Sequence, residues 1–487
     1  MLSFLGLAIA NAGPKPVNTV AREILAKYGD AVVTLAIVTE ATLTITDQPS
    51  RSEEVSIEVP GAVVTSDGWV VSTSFSMQPH VPATERNGVK INVTYETKEV
   101  RIIWGDGEES PAEIVFKDED LDLSILKPKD AKDGAAIVNF DDAAVDLKPE
   151  LLDEVVVLTR QDESIDRLPR VETGRIASLI DRPRRLVVAD VSEPGAPAFH
   201  ESGRVLGLCT LKVVENESPV PAIRPAADVL KVLRSALASA GITANEQETG
   251  GAKTGEENDL ATVGRAILAE FQDSVVSIST ITERNNRTRE NWSVGVVMGT
   301  DGLIAASRTG LARTDIKELK IVLGDGSELK ATMVLEDLDL DLAFIQPDAQ
   351  EVEEQGIEFP PSPFAGEIPP VGLQFADPVI ILTRESLAFF RQPKLVVTHV
   401  DSVVENPRRY YRTPEKQAGA VGFDANGNLV GLYARRVTGE ETRHRMLLPP
   451  PHVIDGAERG RKAASERPQE TDPTTEGDEP EPSDSDQ

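Results

Sequence analysis

Two runs of alternating carboxylates stand out as residues able to do chemistry: Asp118, Asp120 and Asp122 in the first, Asp337, Asp339 and Asp341 in the second. Alternate side chains of an extended strand share one face, so each run is expected to present its carboxylates together. Converging oxygens suit a hard cation, but a calcium cage takes about six or more ligands, more than either run supplies. A lone carboxylate can instead orient a histidine base or accept backbone N–H groups. The histidines are scattered: His80 lies in a polar Gln-Pro-His-Val-Pro loop, His200 and His399 in or beside strand-like runs, and His444 and His452 near the end. Each is expected to serve packing or the surface. The single Cys209, in Gly-Leu-Cys-Thr-Leu, reads as a buried structural thiol and excludes an intramolecular disulfide or a cysteine-based zinc site. No metal and no cofactor is expected.

The carboxylate runs belong to a longer repeat. Residues 102–128 and 321–347 align without a gap, Ile102 answering Ile321 at an offset of 219, through a shared Gly-Asp-Gly and a shared Asp-Leu-Asp-Leu. Other landmarks keep the same order. Residues 22–32 answer 265–275, 61–67 answer 295–301, the run ending at Arg160 answers the run ending at Arg384, and 195–208 answer 419–432. The offset drifts from 243 through 234 and 219 to 224, as loop insertions and deletions between fixed strands produce. The duplication therefore covers whole domains.

Composition agrees. With 40% hydrophobic residues, the 487-residue chain can bury two cores of roughly 200 residues each. A formal charge of −31 excludes nucleic acid as the expected partner, because phosphate binding needs a basic face. Residues 1–12 read as a signal peptide: an apolar run from Leu2 to Ala10 precedes Ala10-Asn11-Ala12, an A-x-A cleavage pattern. Export, periplasmic or secreted, is the expectation, with a cytoplasmic protein as the alternative because no Lys or Arg precedes the apolar run. No other stretch is long enough to span a membrane. Residues 241–261, rich in Gly, Thr, Glu and Asn, read as a linker between domains at 20–240 and 262–457, each expected to fold on its own. Residues 458–487 read as a disordered acidic tail.

Within each copy the signals are mostly β. Val/Ile-rich runs at residues 31–38, 61–65, 155–159 and 187–191 alternate with turn pairs such as Asp67-Gly68, Asp106-Gly107, Asp301-Gly302 and Asn426-Gly427. A helix is expected to open each copy, and another, over residues 226–240, to close the first. The fold class is all-β, with helical edges.

The motifs now become specific. Asp67-Gly68 begins D-G-W-V-V-S-T-S-F, Asp301-Gly302 begins D-G-L-I-A-A-S-R-T, the D-L-D-L segments follow, and E-P-G-A-P-A-F and Q-A-G-A-V-G-F end at Phe199 and Phe423. Each copy thereby resembles the chymotrypsin-like protease domain of the HtrA/Deg family. The resemblance implies two tandem trypsin-like domains, each a pair of six-stranded β-barrels with an active-site crevice between them. It also implies that the chemistry is gone. Phe75 and Thr309 stand where the family has its histidine, and neither accepts a proton near neutral pH. Pro194 and Ala418 stand where it has its serine. Of the triad only Asp122 and Asp341 persist, and with no histidine to orient they are expected to cap backbone N–H groups at the barrel interface. A shifted register pairing His80 with Ser192 is a poor alternative, because Ser192 is followed by Glu193-Pro194 and not by a Gly-rich turn.

The expected function is a non-catalytic pseudoprotease serving as an exported protein- or peptide-binding or scaffold module. A serine-type hydrolase with another nucleophile and a structural cell-envelope component are the alternatives. In the family a substrate peptide adds as a strand beside the segment matched here by Thr210, Leu211 and Lys212, and by Ala434, Arg435 and Arg436. The arginines point to an acidic ligand.

Overall fold

The computed structural model describes residues 16–466 apart from 47, 80–83, 87–88, 133, 144–146, 213–218, 241–258, 285–286, 312–315, 406–407, 415–417 and 439–441. The signal-peptide reading, His80, most of the linker and the tail beyond 466 lie outside the described residues.

Helix α1 (Val17–Tyr28) leads into the first barrel: β1 (Val32–Ile45), β2 (Arg51–Val63), β3 (Val70–Ser72), β4 (Thr84–Arg86), β5 (Val89–Ile103), β6 (Glu109–Asp118) and β7 (Leu123–Pro128), with the single turn α2 (Ser74–Met77) after β3. β1 pairs with both β2 and β5, which closes six strands; β4 hangs on β5. The second barrel closes β8 (Glu154–Arg160), β9 (Pro169–Ile180), β10 (Leu186–Ala189), β11 (Pro197–His200), β12 (Val205–Lys212) and β13 (Val220–Pro225), before α3 (Ala226–Ser239). Val229, Leu230, Leu233 and Leu237 recur at helical spacing along α3 and bury it against the seam between the barrels.

The second copy repeats the plan. Helix α4 (Asp259–Phe271) precedes a closed barrel of β14 (Val275–Arg284), β15 (Arg287–Val297), β16 (Ile304–Ser307), β17 (Ile316–Val322), β18 (Glu328–Asp337) and β19 (Leu342–Pro347), then α5 (Ala349–Gln355). The last sheet comprises β20 (Pro378–Arg384), β21 (Pro393–His399), β22 (Ser402–Val404), β23 (Tyr410–Arg412), β24 (Val421–Asp424), β25 (Leu429–Thr438) and β26 (Thr442–Leu448), and α6 (Pro450–Ser465) ends the described chain.

Two expectations are corrected. The fourth barrel is an open seven-stranded sheet, because the counterpart of β9 is cut into β21 and β22 at Val400 and Asp401. Val400 there exchanges hydrogen bonds of 2.8 and 2.9 Å with Ala376 and Asp377, as Ile176 does with Leu152 and Asp153 in the closed barrel of the first copy, so these bonds do not by themselves open the sheet. The second copy also closes with a helix, since α6 runs to Ser465, past the tail boundary expected at 458. Its glycines and charges hid it: Gly456 and Gly460 weaken helix propensity, yet they let α6 press on the Phe344 ring, where a Cβ would lie 2.6 and 3.1 Å from ring and side-chain carbons.

Equivalent contacts lock the barrels of each copy together. Arg160 donates to the carbonyls of Val32, Gly29 and Arg167 at 2.5, 2.9 and 3.0 Å. Arg384 does the same to Val275, Gln272 and Arg391 at 2.7, 2.9 and 3.2 Å. Phe199 stacks on Tyr28 with centroids 5.0 Å apart, and Phe423 on Phe271 at 5.7 Å. Among the described residues no helix is long and apolar enough to cross a membrane.

The copies share an interface. Fully buried Leu152 joins the core of the second copy beside Ala261 and Leu395, while Phe389 is buried among Ile180, Leu186, Val188 and Ala222 of the first. Arg265 on α4 donates to the Leu151 carbonyl at 3.1 Å, and Ser178 Oγ to that of Pro393 at 3.0 Å. Ile165, which occupies the place of Phe389 in the first copy, is 49% exposed. Phe389→Ala is therefore expected to lower stability by about 3–5 kcal/mol in urea unfolding, whereas Ile165→Ala changes it by about 0.5 kcal/mol or less. Equal effects of the two substitutions would contradict this interface.

Candidate functional site

The alternating acids do not share a strand face. β6 ends at Asp118 and β7 begins at Leu123, so the run forms a turn, and the period-two argument fails because the backbone is not extended there. Asp118 Oδ1 accepts the Leu121 N–H at 3.0 Å, exposed Asp120 pairs with Arg184 at 2.9 Å, and Asp122 turns inward with φ 56°. The second copy matches it: Asp337 Oδ1 accepts from Asp339 and Leu340 N–H at 3.0 Å each, Asp339 is exposed, and Asp341 is buried with φ 56°. Aspartate tolerates this left-handed conformation better than most residues.

Each inward carboxylate collects donors. Asp122 Oδ1 accepts the Phe75 N–H at 2.6 Å, and its Oδ2 accepts the Thr73 hydroxyl at 2.5 Å and the Leu211 N–H at 2.6 Å. Leu211 lies on β12, so this carboxylate joins the two barrels of the first copy. Asp341 accepts the Thr309 N–H at 2.8 Å, the Ser307 hydroxyl at 2.6 Å and the Thr309 hydroxyl at 3.0 Å. Burial pushes the Asp122 carboxyl above the usual carboxylate range, against the pull of its hydrogen bonds and of Arg224 nearby. Thr73 and Ser307 were missed by sequence reasoning; the available signal was a hydroxyl residue at the same place in both copies, two before Phe75 and Thr309.

The segments across the crevice are also closed. The Ala196 N–H bonds back to the Glu193 carbonyl at 2.9 Å, with Pro194 and Gly195 (φ 96°) as the corner residues, and the Gly195 N–H donates to the Cys209 carbonyl at 2.8 Å. Pro194 has no N–H to offer. Ala418 is buried, and the Gly419 N–H (φ 87°) donates to the Tyr433 carbonyl at 2.6 Å. Both glycines press on the opposite barrel: a Cβ on Gly195 would sit 2.3 Å from the Pro60 oxygen, and one on Gly419 1.9 Å from the Val294 oxygen. N–H groups committed this way do not point at a reacting carbonyl.

The other sequence-derived residues disperse. Thr210 is buried, its hydroxyl 3.3 Å from the Ala222 carbonyl, while Lys212 is half-buried. Ala434, Arg435 and Arg436 pair with Met446, Arg445 and His444 along β26. Burial pushes the Cys209 thiol up to about 11, so it is no thiolate nucleophile near neutral pH. His399 is exposed on β21, and burial pushes His452 below its ordinary range. His200 lies apart from Asp122, with Nε2 3.1 Å from Asp153 Oδ2.

Each copy thus sets an inward aspartate and a glycine turn on opposite sides of the crevice between its two sheets. Residues 60–208 match the family model for the trypsin-like peptidase domain. The fold is trypsin-like. That match spans Phe75, Asp122 and Pro194 of the first copy. Solved structures of the HtrA-type protease AlgW with a tripeptide, one of them of a variant, align at 16% identity with TM-scores of 0.31 and 0.30. Each alignment covers 40% of this chain and 62% of that one. A search of curated proteins gave no match.

The raised Asp122 carboxyl has a measurable consequence for stability of the trypsin-like fold. Folding favours its protonated form, so its contribution is fully present below the ordinary carboxyl value, about 3.9, and is lost as pH rises through the raised folded value. The stability of wild type relative to Asp122→Asn, from urea unfolding, is expected to fall as pH rises above the ordinary carboxyl value. A difference that is flat or rising with pH would contradict the assignment.

Proposed function

We propose that the chain is a non-catalytic trypsin-like protein that acts by binding an extended protein or peptide segment, in an exported compartment. One observation carries the reading. The carboxylate that would orient a general base is engaged by Thr73, Phe75 and Leu211 in the first copy, and by Ser307 and Thr309 in the second. Phe75 stands where an imidazole would have to sit, and a phenyl ring takes no proton from a hydroxyl. Pro194 supplies neither a hydroxyl nor an N–H, and Ala418 supplies no hydroxyl.

Strand addition needs only backbone groups, so it survives the loss of a triad. The second copy offers the better edge. β25 pairs with β24 as far as Leu432 and with β26 from Leu432 to Thr438, so residues 434–438 have one edge without a ladder partner among the described residues. In the first copy the Leu211 N–H is already given to Asp122. Arg435 and Arg436 on the open β25 segment favour an acidic or C-terminal carboxylate ligand through charge-assisted hydrogen bonds.

Purified protein is expected to take up no covalent fluorophosphonate on any serine, by mass spectrometry, beyond what the denatured chain takes up. Phe75→His combined with Pro194→Ser is expected to stay at that background too, because the turn still directs its N–H groups inward; strong turnover by the double variant would contradict the reading. Acidic peptides on an array are expected to bind the full chain, and Arg435→Glu with Arg436→Glu to weaken them about tenfold or more. Binding indifferent to those substitutions would remove β25 from the proposal.

A further inference from the structure

We propose that the junction between the two copies carries a site for a first-row divalent transition cation, ligated by Asp153, His200 and Glu201. Each residue offers one ligand atom, and the atoms all lie within 4.8 Å of one another. The fold brings them together across 47 residues: β11 pairs His200 with Val155 of β8, and Glu201 and Glu154 are cross-bonded, Glu201 N–H to the Glu154 carbonyl and Glu154 N–H to Glu201 Oε2, at 2.9 Å each. The Asp153 and His200 side chains are 15% and 13% exposed, shielded from bulk water yet reachable by an ion. One imidazole, two carboxylates and no thiolate suit zinc, cobalt or manganese; the imidazole disfavours calcium and magnesium, which prefer all-oxygen sets.

The second copy shows what the hairpin alone requires. Asp377 repeats Asp153, accepting the Gln374 N–H at 2.7 Å as Asp153 accepts the Glu150 N–H at 2.7 Å. In place of His200 and Glu201 stand Asp424 and Ala425. Asp424 closes the turn by accepting the Asn426 and Asn428 N–H groups at 2.8 Å each. A single acceptor therefore suffices for the turn, and in the first copy His200 Nδ1 supplies it, accepting the Ser202 N–H at 3.1 Å. The second ring nitrogen is additional to that role; Glu201 Oε2 also accepts the Glu154 N–H, a donor the second copy lacks because Pro378 stands there, and both the ring and the Glu201 carboxylate converge on Asp153.

The proton has a defined place. With Nδ1 accepting from Ser202, the neutral ring carries its hydrogen on Nε2, toward Asp153 Oδ2 at 3.1 Å. Cation binding at Nε2 moves that hydrogen to Nδ1, where Ser202 Oγ, 3.0 Å away, accepts it and the Ser202 N–H gives up its bond to the ring, so binding the ion costs the turn this acceptor. Holding the non-ligating ring N–H this way is the usual outer-shell arrangement of a metal-bound histidine. Arg265 of α4 is the competitor, with Nη1 3.8 Å from Asp153 Oδ1 and 3.3 Å from Glu150. The ion and the α4 guanidinium thus contend for Asp153 at the seam between the copies.

The test is titration of the metal-stripped, untagged full chain with Zn2+ by calorimetry. Wild type is expected to show a tightest class of one equivalent. That class weakens about tenfold or more in His200→Ala and in Glu201→Gln, stays in Asp377→Asn, and tightens about tenfold in Arg265→Gln, where a neighbouring positive charge is removed. Ca2+ in excess is expected not to displace it. Long-range 1H–15N spectra of the histidine rings give a readout that a merely structural role would not move: Zn2+ shifts His200 from the Nε2–H to the Nδ1–H tautomer. Identical Zn2+ isotherms for wild type and folded His200→Ala, or a His200 ring that keeps its Nε2–H with Zn2+ bound, overturn the proposal.

Discussion

A guanidinium drawn out of water holds each copy together, half-buried at Arg160 and buried at Arg384. Arg160 and Arg384 reach from the second barrel of their copies to carbonyls at the start of the first, and each also ties down the loop that follows its own strand. A buried cation is costly unless its donors are satisfied, and burial lowers the pKa of both groups. Carbonyl oxygens from different elements meet that need only when helix end, barrel and loop are all in place. The spacing of the two barrels, and with it the crevice, follows from this requirement.

The crevice is held by an inward carboxylate in each copy. Asp122 bridges Thr73 and Phe75 of the first barrel and Leu211 of the second, so removing its acceptor would leave buried N–H groups without partners. Asp341 serves residues of its own barrel through Ser307 and Thr309. The turns at Gly195 and Gly419 close against the facing barrel in the same way in both copies, at Pro60 and Val294. A side chain cannot be added at either glycine without moving backbone.

The copies have diverged where they meet. Phe389 fills a gap on the first copy, while Ile165 at the matching place stays exposed; Arg391 lies over the Trp292 ring at 4.2 Å where Arg167 pairs with Glu58. A one-sided contact of this kind is head-to-tail, with two different surfaces committed. Asp153, His200 and Glu201 sit beside it, next to Leu152, which is buried in the core of the second copy.

Much was legible in the chain itself. The repeat, the barrel strands, the opening helices, the closing helix over residues 226–240, and the matching places of Asp122 and Asp341 in the two copies follow from residue identity and local period, which need no distant contact. Three features did not follow. The alternating acids separate because Asp122 and Asp341 take a left-handed turn, where each carboxylate meets donors from segments distant in sequence. The helix over Gly456 and Gly460 depends on a partner, the Phe344 ring, that no local window contains. His200 reads as an isolated histidine until the β8–β11 ladder carries it to Asp153. Local pattern determines which elements form; long-range pairing decides which side chains meet, because that is fixed by contacts far apart in sequence.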